Sequence, residues 1–333
     1  MTYKYTFLAV MLLQTYSVLS QMSHWVSNRN DGVEVDFTNA QAAYNTALPG
    51  DTLIFYPSPY SYGGLTIDKE IHIIGLGYKI DTISQPTLGI RTFLQTTIFD
   101  QVALNAGSEN STIESISIQI YNVNNVNNTT IRRCEIREGA GVSNCIAANF
   151  YSTTITKLDN GWSLNMIDAD NCIIANCIFT SPSSSSVNGN GNSTNNIFFN
   201  NIIYQGYLNN CTFYNNIFPI YDIIGNMNEV TNNIYLSGTP GEDDFNNIYG
   251  ATNVFVGYPT QGSYSFDTRW QLQSNSPAIG AGVDGEDCGI FGGPNPYKLS
   301  GIHSRPLIYE LTAPVYVPNG SDLNITVKVR AED

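Results

Sequence analysis

Charge is scarce in this chain. Asp, Glu, Lys and Arg make up 13% of its 333 residues, about half of the usual quarter. Only 14 of these are basic against 28 acidic, for a formal net charge of −14. A phosphate-binding surface needs concentrated Lys and Arg, so nucleic acid is excluded as a partner, and an anionic membrane surface is disfavoured for the same reason. The Ala, Leu, Glu and Lys that build helices are depleted, which excludes a helical architecture. No stretch approaches the roughly eighteen continuous apolar residues of a membrane-spanning helix, so no transmembrane segment is expected in the mature chain. The histidines, His24, His72 and His303, are isolated and lack metal spacing. Asparagine fills the gap left by charge: the chain holds 39 Asn, with 28 Gly and 21 Tyr. At 42% hydrophobic it can still bury a sizeable core.

Residues 1–20 follow other rules. Lys4 precedes an apolar run over 7–13, and Val18-Leu19-Ser20 supplies small residues for cleavage before Gln21, the pattern of a secretory signal. A secreted or cell-surface protein is expected. Export permits disulfides, but Cys134, Cys145, Cys172, Cys177, Cys211 and Cys288 match no dense disulfide framework, and buried free thiols are expected.

One short pattern recurs between residues 110 and 256. Ile113-Glu114-Ser115-Ile116, Ile131-Arg132-Arg133-Cys134 and Ile174-Ala175-Asn176-Cys177 open the series, and Tyr214-Asn215-Asn216-Ile217 and Thr231-Asn232-Asn233-Ile234 make the amide regular. The fourth positions fall at 116, 134, 177, 202, 217, 234, 248 and 254, with room for one degenerate unit near Thr153 to Thr156. Such self-similarity marks a stacked solenoid in which no unit buries its apolar face alone. Segments of Ile, Phe, Tyr and Thr divided by Asn, Gly and Ser read as short strands. A parallel β-helix follows, with an inward ladder of Ile, Cys, Phe and Val and with Asn shaping tight bends through left-handed backbone and stacked amides.

The segment Ala47-Leu48-Pro49-Gly50-Asp51-Thr52-Leu53-Ile54-Phe55, then Tyr62-Gly63-Gly64-Leu65-Thr66-Ile67 and Ile71-His72-Ile73-Ile74-Gly75, resembles the opening of right-handed parallel β-helix proteins of the pectin-lyase-like superfamily. Ser274-Asn275-Ser276-Pro277-Ala278-Ile279-Gly280 and Asp287-Cys288-Gly289-Ile290-Phe291-Gly292-Gly293 are similar to the closing segment of secreted β-helix proteins from Bacteroidetes. The resemblance covers roughly residues 30–290 and specifies fold better than activity. The expected organisation is a signal at 1–20, an all-β coil over 21–299 with a short helical N-terminal cap, and a C-terminal extension over 300–333 with two strands at 307–311 and 323–329.

The resemblance implies polysaccharide as the ligand class. Glycoside hydrolysis needs two carboxyl groups at fixed separation, and Asp243-Asp244, the lone Asp-Asp pair, reads as a loop. Uronate elimination needs a base and a cation facing the carboxylate. The cluster Arg132, Arg133, Glu135, Arg137 and Glu138 offers both, with Arg132 and Glu135 placed outward by strand alternation. No cofactor is required, although Asp168 with Asp170, and Asp284 with Asp287, are candidate Ca²⁺ ligands. Outward Tyr204, Tyr235 and Tyr249 would make a flat aromatic face for sugar rings. The leading expectation is a non-catalytic surface protein that contacts carbohydrate. The alternatives are a polysaccharide lyase or hydrolase and a structural subunit of a surface assembly.

Overall fold

A computed structural model describes residues 21–30, 32, 34–78, 96–157, 161–181, 186–190, 192–220, 223–238, 245–260, 262, 264–302, 307–312, 314, 316 and 322–330. The export signal expected at 1–20, Asp243-Asp244 and His303 lie outside them. The chain is a parallel β-helix. Among the described residues its first face has ten strands, from Ser23–Val26 through Thr52–Phe55, His72–Ile74 and Thr112–Glu114 to Glu229–Thr231. The other two faces diverge from one long strand, Ser117–Asn124. Its first residues pair in parallel with Glu135–Ile136 to start the second face, and Tyr121 to Asn124 pair with Ala140 to Ser143 to continue the third. From Thr112–Glu114 onward, partners on successive coils lie 14 to 24 residues apart, whereas the earlier step from His72 to Thr112 is longer.

The inward positions explain why these short segments stay strands. On face one, Leu53, Ile73, Ile113, Ile131, Phe150, Ile174, Phe198 and Phe213 stack in register and all are buried. Branched and aromatic side chains fit such a pleated, half-buried surface. The degenerate unit at 153–156 is a full coil, with Thr154–Thr156 pairing on both sides. At the N-terminal end the helix Ala40–Thr46 closes the core with Ala40, Ala43 and Tyr44, and Asn39 caps it by accepting Ala42 N at 3.0 Å.

The repeat resolves into two adjacent columns at the corner between faces one and two, which corrects the expected single ladder. The first column, Ser115, Arg133, Ser152, Asn176, Asn200, Asn215, Asn232 and Asn246, has left-handed backbone, with φ between 48° and 59°. Asn tolerates that geometry best among residues with a side chain. The next column starts as Ile116, Cys134, Thr153 and Cys177 and then becomes Asn201, Asn216, Asn233 and Asn247. Each of these amides is bonded by the rung below: Cys177 N donates to Asn201 Oδ1 (2.9 Å or less throughout), Asn201 N to Asn216 Oδ1, Asn216 N to Asn233 Oδ1 and Asn233 N to Asn247 Oδ1. The isoleucines 202, 217 and 234 therefore fall one place later, in register with Ile178 on the outside of face two.

A second device covers that outside column. After the last rungs, residues 256–302 run back along face two as an irregular strap. Ile178, Ile202, Ile217 and Ile234 pack beneath Trp270, Ala278, Cys288, Ile290 and Tyr297. Left-handed asparagines hold the strap: Asn176 Nδ2 donates to Ile290 O and Gly292 O, Asn200 Nδ2 to Asp287 O, and Asn232 Nδ2 to Ala281 O. At its far end Tyr297 OH bonds Tyr78 OH and Thr154 Oγ1, and Tyr78 N donates to Ser300 O. Beyond it, Leu307–Thr312 pairs antiparallel with Thr326–Arg330, as expected for the C-terminal extension. All six cysteines are free and buried. Among the described residues no helix is long and apolar enough to cross a membrane.

Candidate functional site

The strap builds a pocket on the outer surface of face one. Strand alternation turns Thr112, Thr130, Arg132 and Tyr151 outward, and the strap's Pro294-Asn295-Pro296 and Lys298 rise beside them to enclose about 460 Å³. Arg133 enters from the left-handed corner, and its Nη1 reaches Ile302 O at 3.5 Å. Three cations thus meet at the pocket, and the two arginines share one carboxylate. Glu114 is buried under them, taking Arg132 Nε at 2.8 Å and Nη2 at 2.7 Å, with Arg133 Nη1 at 3.5 Å. The Arg132 side chain stays half-exposed toward the pocket, at 49%. Lys298 forms no ion pair among the described residues. Burial, and then the nearby Cys177 thiol, push the Tyr151 hydroxyl above its ordinary value, so it is a neutral donor at the pocket wall.

The pocket opens onto an aromatic track. Arg132, Tyr151, Ala175, Phe199 and Tyr214 occupy one outward column, which at the inter-strand spacing spans about 19 Å. Phe199 and Tyr214 stack with centroids 5.1 Å apart and planes 4° from parallel. Both rings are half-buried, leaving part of each open to solvent.

The candidates from sequence divide sharply. Arg132 and Arg133 are in the pocket. Glu135 lies on the outer column of face two but is buried, close enough to Tyr78 to act on its hydroxyl; it accepts Ser117 Oγ at 3.0 Å and Arg137 Nε and Nη2 at 2.9 Å. Arg137 therefore neutralises a structural carboxylate and is absent from the pocket lining, and Glu138 pairs with Lys157 at 3.6 Å. The expected outward tyrosine face does not form. Tyr235 alternates inward from Ile234 and stacks in the core between Phe218 at 4.7 Å and Tyr249 at 4.5 Å. Tyr204 lies outside the coil but sits against the strap residues Tyr258 and Trp270.

The carboxylates expected to bind Ca²⁺ have structural partners. Asp168, left-handed at φ 50°, accepts Asn192 N at 2.9 Å; Asp170 accepts Thr194 N at 2.7 Å and Thr194 Oγ1 at 2.9 Å. Asp287 accepts Gly280 N at 2.8 Å, and Asp284 is exposed at a left-handed turn. Among the described residues no three of His, Cys, Asp and Glu group as a metal site. Sequence reasoning missed Glu114, Tyr151, Phe199, Tyr214 and Lys298. The register of face one, once known, places the first four; nothing periodic marks Lys298.

No protein-family model and no curated protein matches this chain. Solved structures that overlap with it include a viral protein and a pectate lyase. ORF18 of Geobacillus virus E2 aligns at a TM-score of 0.45 with 13% identity over 63% of this chain and 52% of its own, so the chain spans about half of that protein. The pectate lyase Pel9A aligns at 0.32 with 12% identity over 81% of this chain and 96% of its own. Overlap at this level bears on neither substrate nor mechanism.

Proposed function

We propose that the protein binds an acidic polysaccharide along the outer surface of face one without cleaving it, at the cell surface or in the medium. The observation that carries this reading is the meeting of Arg132, Arg133 and Lys298 in one pocket, where a single buried carboxylate pairs with the two arginines, beside a column that carries Tyr151, Phe199 and Tyr214. An excess of positive charge in a chain of net charge −14 selects a ligand whose negative charge is local and repeated, since the global field repels polyanions and only the pocket attracts them. Guanidinium groups read carboxylate or sulfate by paired hydrogen bonds, while ring faces take sugars by stacking.

The carboxylates support the non-hydrolytic half of this reading. A glycosidase needs one carboxyl group free to give a proton and another free to attack or to activate water. Among the described residues no carboxylate lines the pocket, and Glu114, buried beside it, is taken up by two arginines. The test is a panel of uronate, sulfated and neutral oligosaccharides, followed by calorimetry for binding and by ultraviolet absorbance and reducing ends for turnover. Saturable binding of the anionic members, without new unsaturated or reducing ends, supports the reading. Turnover abolished by Lys298→Ala overturns its non-catalytic half, and equal binding of neutral glycans overturns the role of the cations.

A further inference from the structure

The left-handed asparagines that hold the strap differ in one respect. Asn215 Oδ1 accepts Val283 N at 2.8 Å and Asn232 Oδ1 accepts Thr231 Oγ1 at 2.6 Å. Asn200 is fully buried, and its Oδ1 has no donor. Exchanging its amide oxygen and nitrogen does not repair this, because Nδ2 already faces the carbonyls of Asp287 at 2.9 Å and Gly289 at 3.3 Å, and an oxygen there would oppose two acceptors. Asn176, one rung below, repeats the pattern: Nδ2 faces Ile290 O and Gly292 O, and Oδ1 again lacks a donor.

A carboxylate stands at the same place. Glu286 is half-buried, and its one side-chain hydrogen bond among the described residues comes from Asn215 Nδ2 at 3.5 Å. Gly293, at φ +74°, leaves both oxygens beside one gap: a β-carbon there would lie 2.9 Å from Asn200 Oδ1 and 3.6 Å from Glu286 Oε2. No Lys or Arg forms an ion pair with Glu286 among the described residues. A buried acceptor without a donor requires a water or an ion, and a neighbouring unpaired carboxylate favours a cation. Oxygen-only ligands select a hard one.

We propose that Asn200 Oδ1 and the Glu286 carboxylate hold a hard divalent cation of the Ca²⁺ class, pinning the strap to the corner of the coil. The site is separate from the cationic pocket, although Glu286 lies close enough to Tyr214, at the far end of the aromatic column, to add to burial in raising its hydroxyl above the ordinary value. Two protein ligands with water completing the shell make a weak site, with a dissociation constant of roughly 10⁻⁴ to 10⁻³ M, the range of extracellular Ca²⁺ modules. Neither Asp284 nor Asp287 takes part, so the loop's metal-binding residue is the one between them.

The experiment is thermal unfolding of the full chain, previously treated with chelator, titrated with CaCl₂ against KCl of equal ionic strength, with hydrogen exchange over residues 283–293 as a second readout. A tenfold excess of Ca²⁺ over its dissociation constant should raise the midpoint by roughly 2–6 °C and slow exchange in those residues, and Glu286→Gln should lose both effects while folding normally. No shift beyond that of KCl, or an undiminished shift in Glu286→Gln, overturns the proposal.

Discussion

Asn216 Oδ1 accepts two hydrogen bonds from Asn201 in the coil below, one from the backbone N–H at 2.9 Å and one from the side-chain amide at 3.0 Å. Asn216 then makes the same pair to Asn233, at 2.8 and 3.0 Å, and sends its second amide proton to Phe198 O at 2.9 Å. Every polar atom of the buried side chain is used. Asn216→Ala should therefore destabilise the fold by about 2–4 kcal/mol, since it strands donors on Asn201 and an acceptor on Phe198 away from water. Urea unfolding measures this; a loss under about 0.5 kcal/mol would show that water repairs the ladder.

The thiols should be inert in the native state. Burial pushes Cys134, Cys172, Cys177 and Cys288 up to about 12, with carboxylates adding to the effect at Cys134 and Cys288. Thiolate is the reactive form, so iodoacetamide near neutral pH should label none of the six native cysteines and all six in denaturant. Rapid native labelling of any of these four would contradict the buried stack.

The coil was legible in the sequence, and the strap was not. Ile113, Ile131 and Ile174 alternate with outward residues, and the recurring amides mark a corner, so fold class follows from period and composition. The register within the corner was harder. Consecutive asparagines, such as Asn200-Asn201 and Asn215-Asn216, perform different tasks, a left-handed turn and a buried ladder, with the same side chain. The strap has no period because its anchors are its own carbonyls, bonded to asparagines far away in sequence. Arg133 meets Ile302 across 169 residues. For that reason Arg132 and Arg133 were identifiable as outward cations, while Lys298 and the burial of Glu135 were not.

Alkali should unfold the protein over a defined window. Burial is the main cause that pushes Tyr44, Tyr62 and Tyr204 up to about 12 from an ordinary 10.0, and Tyr78 and Tyr297 also rise well above it. The folded state holds these protons more tightly than the unfolded chain. Their contribution is full below the unfolded value and is lost as pH rises from there through the folded one. Denaturant midpoints should begin to fall near pH 9, where the thiols of the unfolded chain ionise, and fall more steeply between about pH 10 and about pH 12 as the phenols join them; a flat profile across that window would contradict the burial of these groups.

Tyr297→Phe removes the hydroxyl that joins Tyr78 and Thr154 while keeping the ring against Phe291. It should cost about 1–2 kcal/mol and speed hydrogen exchange in residues 290–302 more than in the strands of face one. Uniform acceleration would mean that the strap and the coil open together.

The pocket offers the most direct test of the account. Calorimetric titration with an acidic oligosaccharide should give saturable binding that weakens with added salt. Arg133→Ala and Lys298→Ala should each lower affinity roughly 10- to 100-fold, whereas Arg137→Ala, at a residue bonded to buried Glu135, should leave affinity unchanged in whatever fraction stays folded. That pattern, without appearance of unsaturated or reducing ends, is what the geometry predicts. Binding indifferent to Arg133 and Lys298, or cleavage of the oligosaccharide by the wild-type protein, would contradict it.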